Sequence, residues 1–312
     1  MKFFLAPMQG LTGYTVRNAF HHHFDYIDKY YTPFIPAAKR MNAKIKRDID
    51  PVNNDGITLI PQAMSIVADE VIDLHRQLVP YGYDEINVNL GCPSGTVVSK
   101  KRGSGILAYP DMLDSFLDEL YTKADFPVSI KTRVGFNDDE LWPRLIEIYS
   151  KYPISELTVH PRVQKDFYKN TPRMDDFALA MQKINPDKTI LCYNGDITNA
   201  NSFKALTDRF PDIDEIMIGR GLFANPALIA ELNGISMDKA ELRERLKNWH
   251  DEILSGYLSI FSGEKDAMFR MKEIWAYMHG LFPDSEKLWK KIKKSQTLTD
   301  YKSIVRMAFD AF

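Results

Sequence analysis

Cysteine is scarce in this 312-residue chain: only Cys92 and Cys192 occur, far apart and with no Cys-x-x-Cys pair. That scarcity excludes a disulfide framework, weakens any thiolate-metal reading and favours a reducing compartment. Long apolar runs are also missing, and nothing approaches the roughly 18 residues that a membrane span requires. Charge of one sign is not in excess, since 40 Lys+Arg face 42 Asp+Glu for a formal net charge of −2. A histone-like polycation is therefore excluded, although a local basic face is not. The N-terminal MKFFLAPM lacks the long apolar segment and cleavage site of a signal peptide and reads as a strand. No low-complexity segment or long linker interrupts the chain.

What the chain does have is apolar content, 45% hydrophobic and 12% aromatic residues, enough for a sizeable core. Short β-branched runs ending in polar or glycine-bearing tips recur at 2–8, 56–64, 84–91, 126–135, 155–162, 188–196 and 214–221, with an eighth around 25–33. Amphipathic stretches at 67–79, 110–124, 141–152 and 199–210 separate them. Strand-then-helix alternation predicts a parallel sheet, and eight such units in this length fit an α/β (β/α)8 TIM barrel. A doubly wound open sheet is the alternative, but its usual Gly-x-Gly-x-x-Gly turn is absent where the first run ends Ala6-Pro7-Met8-Gln9-Gly10. After Gly234 the periodicity is helical only, at 240–254, 267–282 and 285–295. We therefore expect two domains, a barrel over residues 1–235 and a small helical domain over 236–312. The second carries 14 basic and 12 acidic side chains, leaving the first with 26 and 30.

In such a barrel the chemistry sits at the C-terminal strand ends. The tips are Pro7, Met8 and Gln9; Gln62; Asn87, Asn89 and Cys92; Lys131 and Arg133; His160 and Arg162; Asn194, Gly195 and Asp196; Gly219, Arg220 and Gly221. This amide-rich, cationic rim suits a planar, hydrogen-bonding cofactor that carries a phosphate. The YNGD and GRG tips fall where these barrels hold phosphate, with glycines admitting the anion and Arg220 able to pair with it. Ordinary turn glycines and a solvated arginine are the plainer alternative. Lys131 interrupts an otherwise apolar strand and needs a partner. Cys92 lies in the loop NLGCPSG, exposed by Gly91 and Pro93, whereas Cys192 lies inside the apolar run TILCY and reads as packing. The run His21–His23 reads as surface or interface, because adjacent histidines on a helix point apart.

Taken in order, APMQGLTGY, PQAM, NLGCPSGTVVSKKRGSGILAYP, VSIKTRVGF, LTVHPR, YNGDI and MIGRGLFANP resemble the tRNA-dihydrouridine synthase family over about residues 3–227. The segments RMKEIWAYMHGLF and KLWKKIKKS resemble that family's helical RNA-binding domain more loosely. The resemblance implies a cytoplasmic, FMN-dependent oxidoreductase that reduces the C5=C6 bond of particular uridines in tRNA, with NADPH (or NADH) as reductant. Pro7, Met8, Gln9, Gln62, Lys131, His160, Asn194, Gly195, Asp196, Gly219 and Arg220 match its flavin-contacting positions. Lys131 would then stand beside flavin N1 and O2 and stabilise the anionic reduced ring. Cys92 matches the catalytic cysteine, Asn89 faces the substrate base, and Arg162 lies beside it. Hydride would pass to C6 of the uracil and a proton from Cys92 to C5, with Asn89, His160 and Arg162 donating to O4.

The chain departs from the family in reading His160-Pro161-Arg162 where glycine is usual at the centre, and in having Tyr14 and Thr15 where an aspartate is usual. For tRNA itself, Lys287, Lys290, Lys291 and Lys294 share one helical face by their spacing and are expected to contact phosphates, with Lys293 in the same cluster. Lys39, Arg40, Lys44, Lys46 and Arg47, and Lys100, Lys101 and Arg102, are further basic edges. A monomer without metal or membrane contact is expected. Two rivals stay open: a flavin barrel that reduces a free pyrimidine, and a barrel that has lost catalysis and only binds RNA.

Overall fold

The computed structural model describes residues 1–37 and 40–312; Lys39, named above in a basic edge, lies outside the described residues. Among the described residues ten short strands form one all-parallel sheet: β1 (Lys2–Leu5), β2 (Lys29–Tyr31), β3 (Ile35–Pro36), β4 (Leu59–Ile60), β5 (Gln62–Met64), β6 (Ile86–Leu90), β7 (Val128–Gly135), β8 (Glu156–Val163), β9 (Ile190–Tyr193) and β10 (Glu215–Ile218). Each segment read as a strand in the sequence contributes to it. The sheet runs β3-β5-β6-β7-β8-β9-β10-β1-β2-β4. One end, β4, runs straight into β5, the second strand from the other end, with only Pro61 between them. β4 pairs with β2 while β5 pairs with β6. The Pro61 carbonyl accepts the Asn87 N–H at 2.9 Å, and Thr32 Oγ1 accepts the Gln62 N–H at 2.9 Å. The ring of strands is thereby closed, as a (β/α)8 barrel requires.

Side chains alternate between the two faces of each strand. Outward-pointing Ile86, Val88, Leu90, Val128, Ile130, Leu157 and Val159 join a large apolar layer shared with the surrounding helices. The inward positions divide. Phe4, Ala6, Tyr31, Ile60, Cys192 and Met217 form a compact apolar cluster inside the barrel, so Cys192 is packing. Gln62, Asn87, Asn89, Ser129, Glu156, Thr158 and His160 are buried polar groups on the other side. Below them Glu156 is held by Lys29 Nζ at 2.7 Å, Tyr31 OH at 2.7 Å and Thr158 Oγ1 at 2.8 Å.

The expected helices form at Ala68–Leu78, Pro110–Lys123, Trp142–Ser150 and Ala200–Arg209, and others not singled out by periodicity form at Tyr14–His23, Ala43–Ile49 and Met174–Lys183. Beyond β10 the chain is helical, with longer helices at Lys239–Ile260, Glu264–Met278, Ser285–Lys294 and Leu298–Ala311. These pack on the barrel rather than extending from it. Phe20 meets Trp249 at 5.2 Å and Phe223 at 5.7 Å between ring centroids, and Phe223 meets Tyr277 at 6.1 Å. His22 and His23 both bond Glu252, each at 2.8 Å, so the histidine run is an interface. No helix among the described residues is long and apolar enough to cross a membrane.

The departure at Tyr14 and Thr15 has a structural counterpart. Helix Tyr14–His23 starts after Gly13, which has no side chain to cap it. Asp48 supplies the cap from a later segment, accepting the Tyr14 N–H at 2.8 Å on Oδ1 while Oδ2 pairs with buried Arg17. Replacing Asp48 by Ala should remove a cap and leave the Arg17 charge without its carboxylate, costing about 2–4 kcal/mol. Urea unfolding measures it, and an unchanged midpoint would show that Asp48 does not secure this helix.

Candidate active site

A cavity of about 300 Å³ opens at the C-terminal ends of the strands. Its wall includes each residue expected at the flavin (Pro7, Met8, Gln9, Gln62, Lys131, His160, Asn194, Gly195, Asp196, Gly219 and Arg220), together with Asn89 and Cys92. Residues separated by more than 200 positions meet there because parallel strands point their C-terminal tips at one mouth. Arg162 lies off this wall, and Lys287, Lys290, Lys291 and Lys294 line no part of it. Those lysines are exposed on helix Ser285–Lys294, whose buried side is Leu288 and Ile292.

Cys92 follows β6 directly. Its main-chain N–H and that of Gly91 donate to Asn89 Oδ1 at 2.9 and 3.1 Å. Its carbonyl accepts from Ser104 Oγ at 2.8 Å. Burial pushes the thiol above its ordinary range, against the Ser94 N–H and the Arg133 and Lys131 charges, which favour the thiolate. The thiol therefore holds its proton at neutral pH.

Lys131 makes no ion pair among the described residues. Burial, reinforced by the neighbouring Arg133 charge, pushes its ammonium down to about 7. His160 is lowered well below its usual value, first by burial and then by Arg133, Lys131, Arg162 and Arg220. Arg162 Nη1 lies 3.1 Å from His160 Nε2. A guanidinium can only donate, so Nε2 accepts and the ring proton sits on Nδ1.

Arg162 is 1% exposed, with its donors already committed. Nε donates to the Lys169 and Asn170 carbonyls at 3.0 and 3.2 Å, Nη2 to Asn170 O at 2.6 Å and to Asp196 Oδ2, and Nη1 to Asp196 Oδ1 at 3.0 Å. This differs from the expectation that Arg162 meets the substrate. No donor is left for a uracil oxygen, and the arginine instead fixes Asp196 and the turn above β8. Asp196 also accepts Arg220 Nη2 at 2.6 Å. Burial opposes its ionisation, but the two guanidinium groups outweigh burial and hold the carboxyl below its usual range. The Arg220 side chain is thus partly neutralised before any phosphate arrives.

Pro161, the other departure, is tolerated for a local reason. The β7–β8 register shifts between Arg133 and Gly135, opposite His160 and Val163, and the β8–β9 ladder ends at Val159. No ladder N–H is needed at Pro161, so the ring is accommodated and β8 continues to Val163.

Among the wall residues to which the sequence assigns no role are Arg133, Tyr168 and Tyr277. Arg133 was visible as a strand tip but had no assigned partner; its guanidinium donates to the Gly91, Val163 and Phe167 carbonyls at 3.0, 2.8 and 2.7 Å. Tyr168 sits in an aperiodic loop, with Arg220 4.8 Å above its ring, and carries no sequence signal. Tyr277 comes from helix Glu264–Met278, so the C-terminal helices complete the wall. Two glycines are sterically required at the mouth. A Cβ at Gly221 would lie 2.1 Å from the Ile197 carbonyl, and Gly10 has φ +85° beneath Arg270. Among the described residues no group of three His, Cys, Asp or Glu side chains could hold a metal ion.

A closed parallel barrel with a cationic, amide-lined cavity at its strand tips belongs to the (β/α)8 enzyme class. The sequence profile of the family "Dihydrouridine synthase (Dus)" matches residues 4–310, and the chain belongs to that family. It is 26% identical over 296 residues to the tRNA-dihydrouridine synthase B of Pasteurella multocida, covering 91% of this chain and 85% of that one. It is 29% identical over 238 residues to a probable tRNA-dihydrouridine synthase of Staphylococcus aureus (strain Mu50 / ATCC 700699), covering 73% and 68%. Among solved structures, morphinone reductase aligns over 77% of this chain and 88% of its own with a TM-score of 0.52 at 11% identity, a likeness of fold alone.

Replacing Arg162 by Lys keeps a charge but cannot serve two carbonyls, a histidine and a carboxylate together. We expect a loss of about 3 kcal/mol in urea unfolding, in line with breaking a buried pair. A change below about 0.5 kcal/mol, the size of an ordinary surface substitution, would show that the turn above β8 does not depend on it.

Proposed function

We propose that this chain reduces the C5=C6 bond of particular uridines in tRNA to 5,6-dihydrouridine, using FMN and taking electrons from NADPH or NADH. The observation that carries the reading is the convergence of Cys92, Asn89, Lys131 and His160 on one cavity in a chain of the dihydrouridine synthase family. The cavity's chemistry suits FMN. Lys131 and Arg133 are cations with no carboxylate partner among the described residues, and Gly195, Gly219 and Gly221 keep side chains out of the space between the β9 and β10 tips. Pro7, Met8, Gln9, Gln62, Lys131, His160, Asn194, Gly195, Asp196, Gly219 and Arg220 would hold it. When bound, the flavin supplies the hydride that uracil C6 accepts.

The chain's own groups do the rest. Cys92 keeps a proton on Sγ at neutral pH, as a general acid toward C5 requires. Asn89 orients the Cys92 loop, and its remaining amide hydrogen can meet the base. His160, with its proton on Nδ1, and Lys131 bring positive potential to the side where negative charge develops on the uracil. Arg162 acts as a positioning residue through Asp196 and His160. In this reading residues 1–235 bind FMN and 236–312 grip tRNA, in a monomeric cytoplasmic enzyme. A stacked uridine must be splayed out to reach the cavity, at a cost of a few kcal/mol. Phosphate contacts from the Lys287, Lys290, Lys291 and Lys294 face offset part of it.

Replacing Cys92 by Ala should leave flavin reduction by NADPH intact while stalling dihydrouridine formation in unmodified tRNA, read by mass spectrometry of tRNA digests. Wild-type turnover in that variant would remove Cys92 from the mechanism. Changing Lys287, Lys290, Lys291 and Lys294 to Gln should weaken tRNA binding. It should also lower the slope of log affinity against log salt by up to about 2.8–3.6, roughly 0.7–0.9 for each phosphate that one of the four lysines no longer neutralises. An unchanged slope would move the tRNA grip to another face.

A further inference from the structure

A single file of hydrogen bonds runs down the inside of the barrel from the Cys92 loop. The Gly91 and Cys92 N–H groups donate to Asn89 Oδ1 at 3.1 and 2.9 Å. Asn89 Nδ2 donates to Gln62 Oε1 at 2.7 Å, and Gln62 Nε2 donates to Asn87 Oδ1 at 2.8 Å. Asn87 Nδ2 donates to Ser129 Oγ at 3.1 Å. Ser129 is the foot of the file.

The direction of this file is forced from the loop end. A main-chain N–H can only donate, so the Asn89 oxygen must face the loop and its nitrogen must face Gln62. Gln62 must then donate to Asn87, and Asn87 to the Ser129 hydroxyl oxygen. Each amide between therefore has one permitted orientation. Turning any of them over sets like groups against each other at under 3.2 Å. Asn87 and Ser129 are fully buried and line no part of the cavity. A buried amide with both ends committed is costly to misplace.

We infer that Asn87 is a positioning residue for the Cys92 loop, fixing Gln62, which fixes Asn89, whose one oxygen holds both loop N–H groups. Asn87 itself touches neither the thiol nor the cavity. The inference rests on the proton-delivery role proposed above for Cys92. A residue that only filled space at this point would be replaceable by a side chain of similar volume at a cost in stability alone.

The test uses the full chain and two independent readouts. Asn87→Leu approximates the volume and removes both the acceptor and the donor, which frees the Gln62 amide to turn over. Without tRNA, iodoacetamide should alkylate Cys92 at least several-fold faster than in the wild type, because the loop is released. Buried Cys192 should stay unmodified in the same mass spectra and so report an intact barrel. With flavin and tRNA, kcat should fall by about tenfold or more while KM for tRNA stays within about twofold, since geometry at the reacting centre is lost and the RNA grip is not. Asn87→Asp keeps the acceptor for Gln62, and the Ser129 hydroxyl can turn to donate to it. That variant should stay close to the wild-type rates.

Wild-type alkylation and wild-type kcat in Asn87→Leu would overturn the inference, and so would equal losses in the two Asn87 variants. If Asn87→Leu does not fold, Ser129→Ala withdraws the lowest link instead. It should shift alkylation in the same direction by a smaller factor, and wild-type alkylation there would overturn the inference. A faster alkylation in Asn87→Leu combined with a wild type that does not reduce tRNA would sink the proposed function while leaving the positioning role standing.

Discussion

The candidate site depends on one constraint, the closure of the strand ring through Leu59–Met64. This short segment pairs with β2 on one side and β6 on the other. Pro61 sits at the changeover, where it has no N–H to offer and its carbonyl serves β6. Closure brings eight strand tips to one mouth and sets their spacing. It also places Gln62 between Asn87 and Asn89, so the segment that closes the barrel is also a link in the file beneath Cys92.

A second constraint follows from what fills the ring. The apolar half of the interior, around Phe4, Tyr31 and Met217, is dry packing. The polar half carries amides, hydroxyls and cations whose partners are mostly neutral. Arg133 is satisfied by three carbonyls, and Lys131 has no carboxylate partner among the described residues. Cations placed this way raise the potential of the cavity. Burial first, and then these cations, hold His160 below its usual range, while burial keeps the Cys92 thiol protonated in spite of them. Where carboxylates do occur at the mouth, as at Asp196, they are spent on arginines that shape the wall.

Much of the barrel could be read in the chain because its outward strand positions are apolar and its helices amphipathic, so the alternation is local. The inward polar positions were harder to see. Asn-Val-Asn, Ser-Ile-Lys-Thr-Arg and Glu-Leu-Thr-Val-His-Pro-Arg follow a period of two inside runs that look apolar overall, because a buried parallel strand shows both faces at once. Helix Tyr14–His23 went unmarked for a related reason. Its cap is Asp48, 34 residues downstream, and no residue beside the helix announces its start.

The order of the strand tips, the family that those tips define and the contrast between Cys92 and Cys192 can all be read along the chain. These depend on residue type and on neighbours along the chain. Which charges are already spent follows from the tertiary structure. It committed Arg162 to a carboxylate, a histidine and two carbonyls, divided Arg220 between Asp196 and the cavity, and left Lys131 without an ion pair among the described residues. It also brought Tyr277 of the C-terminal helices to the wall and kept the lysine face of helix Ser285–Lys294 away from it. Those outcomes turn on hydrogen-bond partners dozens of residues away, and a partner at that distance becomes a neighbour only when the ring of strands has closed.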